Sequence, residues 1–258
     1  AFGKVAPFCA TVLHNSQHAE LMRLPVRDAT LHRGVSHLIF PDEVQNVTDV
    51  QPAQGPVGRM PDLAIRPNTG ALRAATELIQ TAKRPMLIVG HGARDAMAEV
   101  ITFAESLGLP VATTFKAKGQ ISDHHPLGCG VLGRSGTPVA SWMMNESDLL
   151  IVLGSSFSNH TGITSYKPII HVDFDAATLG RRHAVTLGVL GEIGVTVALL
   201  HEALAEATFM DVRGEVAQRW QIWRAEKGLR LLEDRGEGVS SARVFAALTR
   251  HVPTDALM

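Results

Sequence analysis

Arg84-Pro85-Met86-Leu87-Ile88-Val89-Gly90-His91-Gly92-Ala93-Arg94 is the stretch that decides the fold. Met86 to Val89 run together with no polar residue between them, so an extended segment here must be covered on both faces, as strands of a parallel sheet are. Two glycines close the run. From a start near Ala93, Val100, Phe103, Ala104 and Leu107 then recur on one helical face. A strand that turns directly into a helix is half of a βαβ unit. Upstream, Asn68-Thr69-Gly70 offers N-cap chemistry to a helix with Leu72, Ala75, Leu78 and Ile79 on one side. Downstream, apolar runs recur at Val111 to Thr114, Leu149 to Leu153, Ile169 to Phe174 and Leu187 to Leu190, with helix-like segments between several of them. The alternation over residues 67–205 predicts an α/β fold, a doubly wound parallel sheet.

The flanks read differently. A helix-competent stretch from Gln17 to His32 precedes a short run at residues 37–41, His-Leu-Ile-Phe-Pro, which predicts a partial N-terminal helix-strand segment over 1–46. Residues 47–66 hold Pro52, Pro56 and Pro61 with Gly55 and Gly58, and predict a linker ahead of a central domain over 67–232. Within its tail, residues 213–232 form a charged amphipathic helix with Val216, Trp220 and Trp223 on one side. Asp234-Arg235-Gly236-Glu237-Gly238 breaks it, a last helix follows from Ser240 to Arg250, and a strand is expected to start at residues 253–258.

Composition narrows the function. With 24 basic against 25 acidic residues, the net charge of -1 removes a bulk electrostatic case for nucleic acid or an anionic membrane surface. No apolar stretch approaches the ~20 residues of a membrane span. Two cysteines, Cys9 and Cys129, favour a reducing cytoplasm. His124 and His125 are adjacent and no Cys-x-x-Cys occurs, so no metal site is expected; no Gly-x-Ser-x-Gly elbow occurs either.

Ligands of a doubly wound sheet bind beyond the carboxyl ends of its strands, so the residues after each run are the candidates. Gly90, His91 and Gly92 allow close backbone approach ahead of a helix N-terminus, but Asp95 stands where a dinucleotide fingerprint has its third glycine. Binding and a plain tight turn are equally open at this point. Thr113-Thr114-Phe115-Lys116 suits hydroxyl contacts or a solvated loop. Gly128 to Thr137 is the densest glycine segment, and Thr137 suits a helix cap. Gly154, Ser155 and Ser156 begin a polar, uncharged exit. Asp173, Asp175 and Glu192 end two later runs, where a carboxylate either receives ribose hydroxyls or caps a helix.

Taken in order, these segments resemble the central domain of the thiamine-diphosphate enzymes of the pyruvate oxidase and acetolactate synthase group. The resemblance rests on Arg33 to Pro41, Gly90 to Arg94, Thr114 to Gly119, and Asp173-Phe174-Asp175 followed by Leu179-Gly180-Arg181-Arg182-His183. It implies a Rossmann-like domain that holds FAD, ADP or no nucleotide. By that resemblance Gly90, His91 and Gly92 face a ribityl phosphate, and Thr114, Phe115 and Lys116 the ribityl or flavin side. Leu132, Gly133 and Ser135 face the flavin, with Gly154, Ser155 and Ser156 beside it, while Asp173, Phe174, Glu192 and Ile193 surround adenosine. Where the acetolactate synthase pattern has arginines, the loop Gly154 to Gly162 has Ser156 and His160, which weakens the case for FAD.

The same resemblance assigns residues 1–46 to the end of a pyrimidine-binding domain and 233–258 to the connection toward a diphosphate-binding domain. The activating glutamate and the Gly-Asp-Gly motif for magnesium and thiamine diphosphate then fall outside this sequence. The expectation is a catalytically incompetent fragment, without catalytic residues of its own, of a homodimeric or homotetrameric enzyme acting on a 2-oxo acid. The alternative is a stand-alone, non-catalytic nucleotide-binding module.

Overall fold

The computed structural model describes residues 2–48, 51–158, 160–233 and 236–253. The break expected at Asp234-Arg235 and the strand start expected beyond Pro253 lie outside the described residues. Two compact units divide at Leu63/Ala64.

In the first unit, β1 (Phe8–Thr11) and β2 (Ser36–Ile39) pair in parallel, with Phe8 opposite Ser36 and Thr11 opposite Ile39. Helix α1 (His18–Leu31) connects them and α2 (Asp42–Gln45) follows. The helix and the second strand are where the sequence places them. β1 is an addition: Phe-Cys-Ala-Thr has no aliphatic run, and its burial only alternates between half-buried and exposed.

The second unit opens with α3 (Thr69–Thr81), whose Asn68 side chain accepts hydrogen bonds from the Gly70 and Ala71 N–H groups. Then come β3 (Pro85–Val89), α4 (Met97–Leu107), β4 (Val111–Thr113), β5 (Gly128–Val131), α5 (Pro138–Glu146), β6 (Leu149–Leu153), β7 (Ile169–Asp173), β8 (Leu187–Leu190), α6 (Ile193–Ala203), α7 (Arg213–Leu232) and α8 (Ser241–His251). The strands form one all-parallel sheet in the order β5-β4-β3-β6-β7-β8. The doubly wound reading therefore holds. Met86, Leu87, Ile88 and Val89 are fully buried, as are Leu150 to Leu153, which is the double-sided cover their composition requires.

The path explains the cover. From β3 the chain moves through α4 to β4 and on to β5; α5 then carries it back past β3 to β6. Right-handed crossovers run in opposite directions place their helices on opposite faces. Accordingly α3, α4 and α6 pack together, and α5 packs with α7.

Two corrections concern local structure. Gly128 to Val131, read as part of a glycine loop, is a buried edge strand, held by Trp220 Nε1 donating to the Gly128 carbonyl at 2.7 Å. The helix after β3 begins at Met97 rather than near Ala93, because a 3-10 turn, His91–Ala96, intervenes.

Candidate functional site

Connections leave β3 and β6, the two central strands, in opposite directions, and this divergence is where open α/β sheets take ligands. All six predicted stretches lie at this carboxyl edge. Gly90 to Gly92 follow β3, Thr114 to Lys116 follow β4, Leu132 to Ser135 follow β5, and Gly154 to Ser156 follow β6. Asp173 ends β7 and Phe174 follows it, while Glu192 precedes α6 and Ile193 is its first residue.

The glycines at the divergence meet each other. Gly90 N donates to the Leu153 carbonyl at 2.8 Å, Gly92 N to the Gly154 carbonyl at 2.9 Å, and Ala93 N to the Gly90 carbonyl at 3.2 Å. A Cβ on Gly90 would stand 2.1 Å from the Gly154 oxygen, and one on Gly92 would stand 3.0 Å from the Gly154 Cα. Gly154 itself takes φ +59°, and a Cβ there would meet Ala93 N at 2.7 Å. Close approach is thus real, but its object is the neighbouring backbone. The predicted helix N-terminus facing an anion is replaced by a turn whose amides at 92 and 93 are already bonded.

On the β4 and β5 side, Thr114 N donates to the Val89 carbonyl and Leu132 N to the Thr113 carbonyl, both at 2.8 Å, so the ladder extends past the strands. Leu132 is buried in the core, whereas Phe115, Lys116 and Ser135 face solvent. A Cβ on Gly133 would lie 2.1 Å from the His160 carbonyl, another backbone contact across the edge. Thr137 caps α5 by accepting from Ala140 N at 3.1 Å, as its sequence position suggests.

On the β7 and β8 side, Asp173 Oδ1 accepts from Asp175 N at 2.9 Å, and Asp175 accepts from Ala177 N and the Thr178 hydroxyl. No helix follows β7, so the helix-capping alternative gives way to a turn closed by these aspartates. Glu192 is a true N-cap, receiving Val195 N at 3.0 Å. Ile193 is fully buried. The edge also carries Lys116, Arg134, Arg181 and Arg182, all exposed and, among the described residues, without an ion pair. Asp173, Asp175 and Glu192 keep their negative charge while accepting these hydrogen bonds, so the edge carries charges of both signs.

Two residues went unnoticed in the sequence. His171, in the middle of β7, is fully buried, and neither ring nitrogen has a hydrogen-bond partner of ordinary geometry. Burial pushes its pKa down to about 4, the Ser155 backbone opposing the fall. Phe157, at φ +51° and 1% exposed, lies edge-to-face on that imidazole at 4.6 Å between centroids. A polar letter inside Ile169 to Phe174 was the available signal for His171; nothing in the sequence marks the backbone of Phe157. Thr113 Oγ1 on β4 is likewise buried without a partner. Cys129, fully buried, has its thiol pushed up to about 12 by desolvation, which keeps it neutral and unreactive.

His14 and His18 stand four residues apart, but His14 lies in a turn before α1. Among the described residues no three His, Cys, Asp or Glu side chains gather as metal ligands, and no helix is long and apolar enough to cross a membrane.

Comparison with known proteins gives a consistent match. Residues 72–200 fit the family described as thiamine pyrophosphate enzyme, central domain. The chain is 30% identical to the putative thiamine pyrophosphate-containing protein YdaP of Bacillus subtilis, over 85% of its own length and 39% of that protein's. It is 34% identical to a probable acetolactate synthase large subunit of Methanococcus aeolicus, over 72% of this chain and 34% of the relative. With the acetolactate synthase isozyme 1 large subunit of Escherichia coli it shares 36% identity, over 55% of this chain and 26% of the other. The chain thus spans less than two fifths of the length of these relatives.

Proposed function

From the premise that the chain belongs to the thiamine pyrophosphate enzymes and carries their central domain, we propose that its carboxyl edge binds a nucleotide diphosphate, FAD or ADP, for a larger 2-oxo acid enzyme. The observation that carries this reading is the gathering of six connections around the β3/β6 divergence, with four cations outside any ion pair among the described residues.

The residues fit such a ligand unevenly. Lys116, Arg134, Arg181 and Arg182 supply charge for phosphates. Thr114 and Asp173 stand at strand ends, where ribose hydroxyls are ordinarily received. The Gly90 and Gly92 turn is the poor fit, since its amides and its missing Cβ atoms serve the contact with Gly154. Phosphates are therefore held by side chains of the rim rather than by that turn. A bound flavin would supply an electron-accepting ring; this chain's own share is to position the nucleotide and neutralise its phosphates.

Thiamine diphosphate chemistry belongs to the parent enzyme. The parent is a cytoplasmic homodimer or homotetramer.

A second reading, a spacer domain without nucleotide, draws support from the closed glycine turn. Titration of the chain with FAD and ADP, followed by calorimetry and by the visible spectrum, separates the two. Saturable binding of either nucleotide supports the first reading, and heat signals at the level of buffer for both establish the spacer.

A further inference from the structure

The geometry points to a ligand site in the first unit: a groove between α1 and the strap of residues 51–60 that takes a monocarboxylate with an apolar chain, its carboxylate held by Arg27 and Arg59. The groove shares no residue with the carboxyl edge of the six-stranded sheet, so it stands or falls independently of the nucleotide reading.

Two walls make the groove. On α1, Met22, Arg23, Val26 and Arg27 stand at i, i+1, i+4 and i+5, which places them along one face of the helix. Opposite them the strap is stiffened by Pro52 and Pro56 and turned at Gly58, whose φ is +69°. Arg59 N closes that turn by donating to the Pro56 carbonyl at 2.9 Å. A side-chain bond ties strap to helix, Arg23 Nε donating to Gln54 Oε1 at 3.0 Å. The space between the walls is about 520 Å³, within the roughly 300–1,000 Å³ of small-molecule sites.

The lining selects the guest. Met22, Val26, Pro56 and Met60 supply an apolar floor, and Met22 and Val26 are left 48% and 64% exposed. Apolar side chains gathered in a concavity, rather than scattered over a surface, are what a ligand covers. The described lining residues include three arginines and no carboxylate. Arg23 shares its charge with Glu20 at 3.5 Å. Arg27, from the helix, and Arg59, from the strap, have no ion pair among the described residues, and the Arg59 guanidinium reaches the Val57 carbonyl only at 3.5 Å. The planar fork of a guanidinium matches a carboxylate. A bare anion would leave the floor uncovered, and a neutral apolar molecule would leave both arginines unmatched, so the complementary guest carries an apolar chain and one carboxylate.

The test uses the 258-residue chain labelled with 13C-methyl methionine, the Met22 and Met60 signals being assigned by their loss in Met22→Leu and Met60→Leu. Octanoate at pH 7 is expected to shift both signals saturably and to leave that of Met86, buried in the other unit, unmoved. Acetate, which has the charge without the chain, is expected to move neither. 1-Octanol, which has the chain without the charge, is expected to bind at least about tenfold more weakly than octanoate. Arg27→Gln and Arg59→Gln change exposed residues and are each expected to weaken octanoate about fivefold. Octanol binding as tightly as octanoate, or arginine variants that bind like the unaltered chain, would remove the carboxylate from the groove and overturn the proposal. An absence of saturable shifts at Met22 and Met60 overturns it as well, as do shifts that follow protein concentration without octanoate, which would place a second copy of the chain there.

Discussion

At the carboxyl ends of β3 and β6 the chain closes on itself through backbone alone, while one strand further, at β7, it buries a polar side chain with no hydrogen bond of ordinary geometry. At the first place Gly90 N bonds the Leu153 carbonyl, Gly92 N the Gly154 carbonyl and Gly154 N the Val172 carbonyl, and the three glycines leave no room for a Cβ. At the second, neither nitrogen of His171 has such a bond, and a strained Phe157 lies against the ring. Both lie at the ligand-binding end of a doubly wound sheet. The difference teaches that glycine density there reports how tightly the fold is joined, whereas a buried imidazole makes the same edge sensitive to pH.

The largest effect is expected from breaking the glycine junction. In Gly90→Ala the new methyl would sit 2.1 Å from the Gly154 oxygen, and that oxygen belongs to backbone rather than to a flexible side chain. Residue 90 has φ -96°, so alanine suffers no strain of its own and the clash is the whole effect. Urea denaturation is expected to show a loss of more than about 3 kcal/mol. A loss below about 1 kcal/mol would mean that the β6 exit moves aside freely, and the contrast with β7 would fail.

At β7 the expected effect is pH-dependent. With its pKa pushed from 6.5 down to about 4, His171 stays neutral in the fold while the unfolded chain takes up a proton. Its share of stability is therefore fully present above pH 6.5 and is lost as pH falls toward 4, by about 3 kcal/mol for a shift of this size. His171→Phe is expected to flatten that limb between pH 6.5 and 4 and to leave the chain at least as stable at pH 7, since an aromatic ring replaces two unbonded polar atoms. An unchanged acid limb would show that His171 finds a partner in the native chain.

Legibility follows the same divide. Strands with continuous aliphatic runs, Met86 to Val89 and Leu149 to Leu153, were readable because burial on both faces leaves only that composition. β5 was not, because its Gly-Cys-Gly-Val takes its place from Trp220, ninety-two residues away, which receives no mark in a local window. At the site, the positions of the strand exits were legible from where the runs stop, and so was the capping by Asn68 and Thr137. What the glycines touch was not, since the same letters serve a ligand and a neighbouring loop equally well. His171 was hidden for the opposite reason, a single polar letter inside an apolar run.

The smallest expected effect tests whether contact, and not glycine as such, separates these regions. Gly228 lies inside α7, has a φ outside the left-handed range, and would gain a Cβ with nothing within 4 Å. There the residue contributes only backbone freedom, which the unfolded chain enjoys and the helix must give up. Gly228→Ala is expected to stabilise the chain by about 0.5–1 kcal/mol in the same urea experiment, opposite in sign to Gly90→Ala. The two substitutions add the same methyl to the same residue type, so a sign reversal between them can come only from what surrounds each position. Should both destabilise alike, general intolerance of α7 and the β3 exit to change would explain the junction's result, and its glycines could no longer be assigned to the contact with Gly154.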